Sequence, residues 1–348
     1  MTTMREVAAR ANVSAKTVSR VFNGDPHVLP ETRARVTAVL RELDYVPNAL
    51  ATSFRSGRAP VLGVAVPDLA DPFFAVLATA VEEVATRAGM GVVVTSLGYE
   101  AGREPAALES LLGRSLSGLV VAPTGQDHGY LRPWAARLPV VFVDRPPQRL
   151  TADAFTGDDA EGARLATAHL IGHGHRSIAF VGDSPQMSTT TDRLAGHRAA
   201  LAAAGLAGGD ELVAFASDAG SAAEVVGRLA RAATPPTALV SADARTTMSL
   251  VPALTGRSWA VVGFGDFPMA HMLSPALTVI DQDPAALGRL AAERVVARLA
   301  APDRRFRRHT VTPLRLVERR SCWSPADAAP LFPRSCPGPT HLPEEPLP

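Results

Sequence analysis

Residues 12–23 read Asn-Val-Ser-Ala-Lys-Thr-Val-Ser-Arg-Val-Phe-Asn, and this stretch decides the fold of the first part of the chain. Ser14 is a natural helix N-cap for Ala15–Asn23, a segment that carries Val18, Val21 and Phe22 on one side. Ala15, Lys16, Ser19 and Arg20 lie on another face, near the N-terminal end. Asn12 occupies the turn before it, where asparagine tolerates a left-handed backbone better than most residues. Upstream, Arg5–Ala11 has the pattern of a short helix. Downstream, Val36, Val39, Leu40 and Leu43 keep the i, i+3, i+4, i+7 spacing of one buried stripe. Two short helices joined by a tight turn and braced by a third make an all-α helix-turn-helix head.

Charge agrees with that reading. The first 60 residues hold nine basic groups against five acidic ones, +4, which leaves −3 for the other 288 of the 348, since the total is +1. A basic head on a mildly acidic body points to a nucleic-acid module joined to something else. A recognition helix turns its N-terminal residues toward base edges in the major groove. Arg20 can read guanine through O6 and N7, Lys16 can do so less rigidly, and Ala15 can meet a thymine methyl. Ser14, Thr17 and Asn23 suit phosphate contacts, which fix register without reading sequence.

From Val61 onward, apolar runs of strand length alternate with helical patterns. VLGVAV precedes a helix expected over Ala75–Arg87, GVVVTS precedes one over Pro105–Arg114, and GLVVA and PVVFVD complete a first series. IAFVG, ELVAF, TALVSA and WAVVGF form a second. The alternation predicts an α/β body with two doubly wound parallel sheets. In open sheets of this kind, ligands sit beyond the carboxyl ends of the strands. Reading just past each strand gives Asp68, Asp71, Phe73, Phe74, Asp144, Asp158, Arg193, Asp243 and Gln282. Carboxylates and arginine bond hydroxyl groups, and aromatic rings stack on sugar faces or bases.

Composition excludes other classes. Hydrophobic residues make up 47%, enough for sizeable cores, and no apolar run approaches the ~20 residues of a membrane span. The opening MTTMREVAAR has charge where a signal peptide is apolar, so a cytoplasmic protein with no membrane partner is expected. No phosphate-binding glycine loop follows the first strand, and no nucleophile elbow is present. We therefore expect no catalytic residues, no cofactor and no enzyme. A cytoplasmic solute-binding receptor without a DNA role is the alternative, and the basic head argues against it.

The quoted stretch, followed by ETRARV and LDYVPNALATSF, resembles the head and hinge of the LacI/GalR transcription regulators. The resemblance continues through PDLADPFFAVL, HLIGHGHRSIAFVG, RLAGHRAAL and LSPALTVIDQD, over roughly residues 3–320. It implies a helix-turn-helix domain over 1–46, a hinge helix and linker over 47–59, and a bilobed periplasmic-binding-protein-like body over 60–320. It also implies double-stranded operator DNA, a sugar-like effector and a second copy of the chain as partners, and repression as the output. In the hinge, Asn48, Ala51 and Phe54 become DNA-binding candidates. Phe54 stands where the family places a leucine wedged into the minor groove, and phenylalanine can serve as such a wedge. Leu29 replaces the usual capping serine of the third helix.

By the same resemblance, Phe73 and Phe74 flank the effector, Asp144 and Asp158 line the cleft, and Arg193 and Gln282 are polar anchors. Segments near Gly157, Ile280–Asp283 and Thr312 cross between lobes, and Pro284–Ala300 returns to the first. Two positions depart from the pattern. Ala242-Asp243 stands where the family has Asn-Asp or Ser-Asp, and Gly265 stands where it has an aspartate that holds a sugar hydroxyl.

His169, His173 and His175 cluster in sequence. No carboxylate or cysteine follows at a standard ligand spacing, so a capping or packing role and no metal are expected. Ser321–Pro348, rich in proline and holding both cysteines, Cys322 and Cys336, is expected to be a disordered tail.

Overall fold

In the head, α1 (Met4–Arg10), α2 (Ala15–Phe22) and α3 (Pro30–Glu42) enclose a core of Val7, Ala8, Ala11, Val18, Val21, Val28, Val36 and Val39. The computed structural model describes residues 4–22, 25, 27–43, 61–100, 102–206 and 208–327. Asn12 makes the turn between α1 and α2 with φ +50°, the left-handed conformation its side chain tolerates. Ser14 caps α2, its Oγ accepting from the Thr17 amide at 3.1 Å. No side chain caps α3: Leu29 precedes it and is exposed, while Pro30 begins the helix with a φ already suited to it.

The chain divides at Pro60, and Val61 opens the second unit. That unit holds two six-stranded sheets. The first runs β11-β5-β4-β3-β1-β2, built from β1 (Val61–Val66), β2 (Gly91–Ser96), β3 (Gly118–Val121), β4 (Val140–Val143), β5 (Asp153–Gly157) and β11 (His309–Thr312). The second runs β12-β10-β9-β8-β6-β7, from β6 (Ile178–Gly182), β7 (Val213–Phe215), β8 (Ala238–Ser241), β9 (Ala260–Phe264), β10 (Thr278–Asp281) and β12 (Arg315–Val317). Every pairing is parallel except β10 with β12. The central strands β3, β4, β6, β8 and β9 are buried throughout, as sheets covered on both faces require.

The chain passes between lobes three times. After β5 it enters α7 (Asp159–Gly172) and the second sheet; after β10 it returns through α11 (Pro284–Ala300) to β11; from β11 it crosses again to β12. Leu287, Ala291, Ala292 and Val295 of α11 join the first lobe's core with Leu77, Val81 and Val84 of α4 (Pro72–Arg87). Gly288 permits this close approach, since a Cβ there would lie 2.4 Å from the Leu77 carbonyl oxygen.

Three sequence expectations need correction. The helix expected from Ala75 begins at Pro72, because Asp71 accepts from the Phe73 amide at 2.9 Å and caps it three residues earlier. The next helix, α5, spans Arg103–Leu112 rather than Pro105–Arg114. Ser321 and Cys322 belong to the second lobe, not to a tail. Ser321 Oγ donates to the Val261 carbonyl at 2.6 Å and accepts from the Thr278 amide, and Cys322 packs in the core with Phe180 and Ile280. Among the described residues, no helix is long and apolar enough to cross a membrane.

Candidate effector cleft and DNA-reading helix

The carboxyl ends of the two sheets face one another, and the loops that follow their strands line a narrow cleft between the lobes. The first lobe supplies Asp71, Phe73 and Phe74 after β1, Tyr99 after β2, and Asp144 and Arg145 after β4. The second supplies Asp183 after β6, Thr189, Thr190 and Arg193 from α8 (Ser188–Ala203), Asp243 and Arg245 after β8, and Gln282 after β10. Phe73 and Phe74 are both buried and meet edge to face, with ring centroids 5.0 Å apart. They sit on the first turn of α4, so the Asp71 cap fixes both rings. Asp144 has φ +66°, a left-handed backbone that an aspartate adopts at some cost.

Charge in the cleft is nearly balanced, with four carboxylates (Asp71, Asp144, Asp183 and Asp243) beside three guanidinium groups. Burial pushes the Asp71 carboxyl up to about 6, and the Asp243 and Asp144 charges add to that, while the Phe73 amide and Arg245 oppose it. Asp243 is raised as well, chiefly by burial and then by Asp183. Its side chain caps α10 (Ala244–Leu254), accepting from the Thr246 amide and hydroxyl at 2.7 and 2.6 Å. Asp183 accepts from the Thr190 hydroxyl at 2.5 Å.

The arginines differ in how many donors they have committed. Arg193 is 4% exposed; its Nε donates to Asp159 at 2.8 Å, its Nη1 donates to the Ala242 carbonyl at 2.5 Å, and its guanidinium lies 3.9 Å from the Phe264 ring centroid. Much of it therefore ties α8 to α7 and to the end of β8. Arg145 Nη1 donates to the Pro123 carbonyl at 2.6 Å, but its buried Nε has no hydrogen-bond partner. A buried donor left unsatisfied costs roughly 1–3 kcal/mol.

Phe73, Phe74, Asp144, Arg193, Asp243 and Gln282 thus line the cleft; Asp158 lines an adjoining hollow that shares Asp144 and Thr189 with it, and Asp68 lines neither. Asp68 accepts from the Ala70 amide in its own turn. Asp158 is exposed and caps α7 through the Glu161 amide; the neighbouring Asp159 turns inward to Arg193 instead. The first turn of a helix sends adjacent side chains in different directions, which sequence position alone does not reveal. Gly265, with φ +85°, leaves open the space next to Gln282: a Cβ there would lie 3.4 Å from Gln282 Oε1. Tyr99, Arg145, Asp183 and Arg245 were missed, although each follows a strand end by one to four residues and the same rule applied to every strand finds them.

In the head, α2 presents Ala15, Lys16, Thr17, Ser19 and Arg20. Lys16 is exposed. Arg20 Nε donates to Asp25 Oδ2 at 2.8 Å, which orients the guanidinium and leaves its two outer nitrogens for other acceptors. Ser14 spends its hydroxyl on capping and on Thr17 Oγ1 at 2.9 Å. Asn23, Asn48, Ala51 and Phe54 lie outside the described residues.

The three histidines separate. His175 engages both ring nitrogens: Nε2 donates to the Trp323 carbonyl at 2.7 Å, and Nδ1 pairs with Thr237 Oγ1 at 2.9 Å. His169 and His173 instead face Glu318 and Cys322, partners about 150 residues away that a search for local ligand spacing does not reach.

A helix-turn-helix head on a bilobed body with a polar cleft between the lobes defines the class of ligand-responsive DNA-binding regulators. Residues 3–48 match the family of bacterial regulatory proteins, lacI family, and residues 167–322 match the periplasmic binding protein-like domain. The ribose operon repressor of Escherichia coli (strain K12) is 30% identical over 333 residues, spanning 92% of this chain and 100% of that protein. The HTH-type transcriptional regulator GalR of Salmonella typhimurium (strain LT2) is 30% identical over 335 residues, 94% of this chain and 98% of that one. Among solved structures, the lac repressor dimer bound to operator and the anti-inducer ONPF superposes with a TM-score of 0.80 at 26% identity, over 93% of this chain and 99% of that one. The CelR–cellobiose complex superposes at 0.67 with 27% identity, over 92% and 100%. The chain belongs to the LacI family of DNA-binding transcription regulators.

Proposed function

We propose that the chain is a cytoplasmic repressor that binds a pseudo-palindromic operator as a homodimer, under the control of a neutral polyhydroxylated ligand, a sugar or sugar derivative. The observation that carries the ligand class is the cleft itself. Four carboxylates can accept hydrogen bonds from hydroxyl groups, the arginines can donate to them, and Phe73, Phe74 and Tyr99 supply apolar faces. With carboxylates outnumbering guanidinium groups, the cleft disfavours a phosphorylated ligand. The ribose operon repressor and the CelR–cellobiose complex are named for sugars, which supports the same class.

Ligand between the lobes favours one interlobe angle, and its differential affinity for two conformations becomes the coupling to DNA, reciprocal by linkage. A homodimer matches the two-fold symmetry of a palindromic operator. The lac repressor dimer bound to operator, a structural relative, supports the same assembly. The family-like hinge belongs to the same reading, with Phe54 as the minor-groove wedge. Lys16 and Arg20 carry base recognition.

A thermal-shift screen of the full chain against sugars, polyols, nucleosides and sugar phosphates tests the proposal. A ligand at 100 times its Kd stabilises by about 2.7 kcal/mol. A shift with neutral sugars that also changes operator affinity supports the reading. A response confined to sugar phosphates overturns the charge argument.

A further inference from the structure

On the second lobe, away from the cleft, four side chains bring metal-binding atoms together. His169 lies in the last turn of α7 and His173 is its C-cap, four residues on, so both imidazoles leave the same face of the helix end. Glu318 and Cys322 come from the segment that follows β12. One ligand atom from each of the four lies within 4.8 Å of every other. His169 Nε2 stands 3.1 Å from Cys322 Sγ, and His173 Nε2 stands 3.9 Å from Glu318 Oε1.

We infer that His169, His173, Glu318 and Cys322 form a site for a divalent transition-metal ion of the zinc type, which fastens the C-terminal segment of the body to the end of α7. Tetrahedral zinc bonds of about 2.0–2.3 Å to nitrogen, oxygen and sulfur put the ligand atoms roughly 3.3–3.8 Å apart. The observed spacing reaches that with movements on the order of 1 Å or less, within the reach of side-chain torsions. Two imidazoles, one thiolate and one carboxylate form a borderline-soft set. Such a set suits zinc, cobalt, nickel or copper and disfavours magnesium and calcium, which need oxygen ligands. The thiolate and the carboxylate together balance a 2+ ion, and Cys322 gives its proton to solvent on binding.

Two further features favour a cation at this place. The C-terminal end of α7 carries the negative pole of the helix dipole, and His173 caps that end. The second half of the site is held in position by bonds that do not need the metal. Ser321 is tied to β9 and β10 through Val261 and Thr278; Trp323 is held by His175; Thr278 Oγ1 lies 3.3 Å from Cys322 Sγ. Ligands fixed by neighbours in this way make a site that loses little freedom when the ion arrives. His175 is excluded from the ligand set because both of its nitrogens are already engaged.

The test uses the full chain, free of any affinity tag, reduced and stripped with a chelator. Equilibrium dialysis against Zn(II) should give one ion per chain. Co(II) in its place should give the intense visible bands of a tetrahedral ion and a thiolate-to-cobalt charge-transfer band in the near ultraviolet. Cys322→Ser should abolish the charge-transfer band, whereas Cys336→Ser should leave it intact. Because Cys322 is buried and its variant could fold poorly, His173→Gln and Glu318→Gln provide the second measurement. Both side chains are partly exposed, at 33% and 60%, so both variants should fold, and each should weaken Zn(II) at least tenfold. Zinc should also raise the Tm of the parent chain and not that of the double variant His173→Gln/Glu318→Gln. No bound ion, a Zn(II) affinity unchanged in both variants, or a cobalt spectrum without a sulfur band would overturn the assignment.

Discussion

Arg245, at the start of α10 in the second lobe, places its guanidinium 4.2 Å from the ring centroid of Tyr99 in the first. The same group lies 3.8 Å from Asp183. It therefore joins one wall of the cleft to the other. Cation–π contacts of partly exposed groups contribute about 0.5–1 kcal/mol. Tyr99→Leu keeps an apolar side chain and removes the aromatic face, and should lower effector affinity roughly two- to fivefold by weakening the contact between the lobes. Titration calorimetry with a ligand from the screen measures it; an unchanged Kd would show that the stack does not contribute to binding.

Arg193 makes a different prediction from the one its sequence motif suggests. As a plain ligand anchor, its loss would spare the fold. The structure buries it against Asp159, also buried, at 2.7 Å. Removing one partner of such a pair leaves an uncompensated charge and costs about 3–5 kcal/mol. Arg193→Ala should therefore destabilise the body by that amount, besides abolishing the effector response. The double variant Asp159→Ala/Arg193→Ala should recover part of the loss in chemical denaturation. A double variant less stable than the single by the full cost of Asp159→Ala would refute the coupling.

Asp71 carries a penalty that depends on pH. Its carboxyl has an ordinary value of 3.8 and is raised by burial to about 6. An acid whose folded-state pKa lies above its unfolded value binds the proton more tightly when folded, so this group's contribution falls as pH rises from about 3.8 to about 6. Above pH 6 the full penalty applies, up to about 3 kcal/mol. Asp71→Asn retains a capping oxygen and removes the charge. It should be more stable than the parent at pH 7.5, with about half that advantage at pH 5, while binding the effector at least tenfold more weakly. Equal stability of the two proteins across this range would show that Asp71 carries no desolvation penalty.

Much of this was legible from the sequence, for identifiable reasons. Strand and helix periods are local, so the runs at Val61–Val66 and Ile178–Gly182 mark their strands directly, and Asn12 and Ser14 mark the turn and cap of the head. The strand-end rule finds the cleft because topology places those ends together. Side-chain direction is not local in that sense. Asp158 and Asp159 differ by one position, yet one faces solvent and the other meets Arg193. Partners far apart in sequence are equally hidden: Cys322 reads as tail until the fold sets it against His169. The boundary at Ser321 failed for the same reason, because a proline-rich composition hides two buried residues at its start.

The head offers the last test. Arg20 and Asp25 pair at 2.8 Å through Nε, and Asp25 also accepts from the His27 amide, so the carboxylate is fixed by its own turn. That pairing lowers the Asp25 carboxyl from its ordinary value, with the Arg20 hydrogen bond as the largest cause and the His27 amide next. A guanidinium anchored at Nε projects its two outer nitrogens as a preset fork, the geometry that reads guanine O6 and N7. Arg20→Ala should relax base preference at one position of each half-site and weaken operator binding roughly tenfold to a hundredfold. Asp25→Ala leaves the fork in place but unaligned, so preference at the same position should broaden while binding to nonspecific DNA is unchanged or slightly stronger. Selection and sequencing of randomised operators reads both variants. A change at different positions in the two, or none in Asp25→Ala, would separate the ion pair from base recognition.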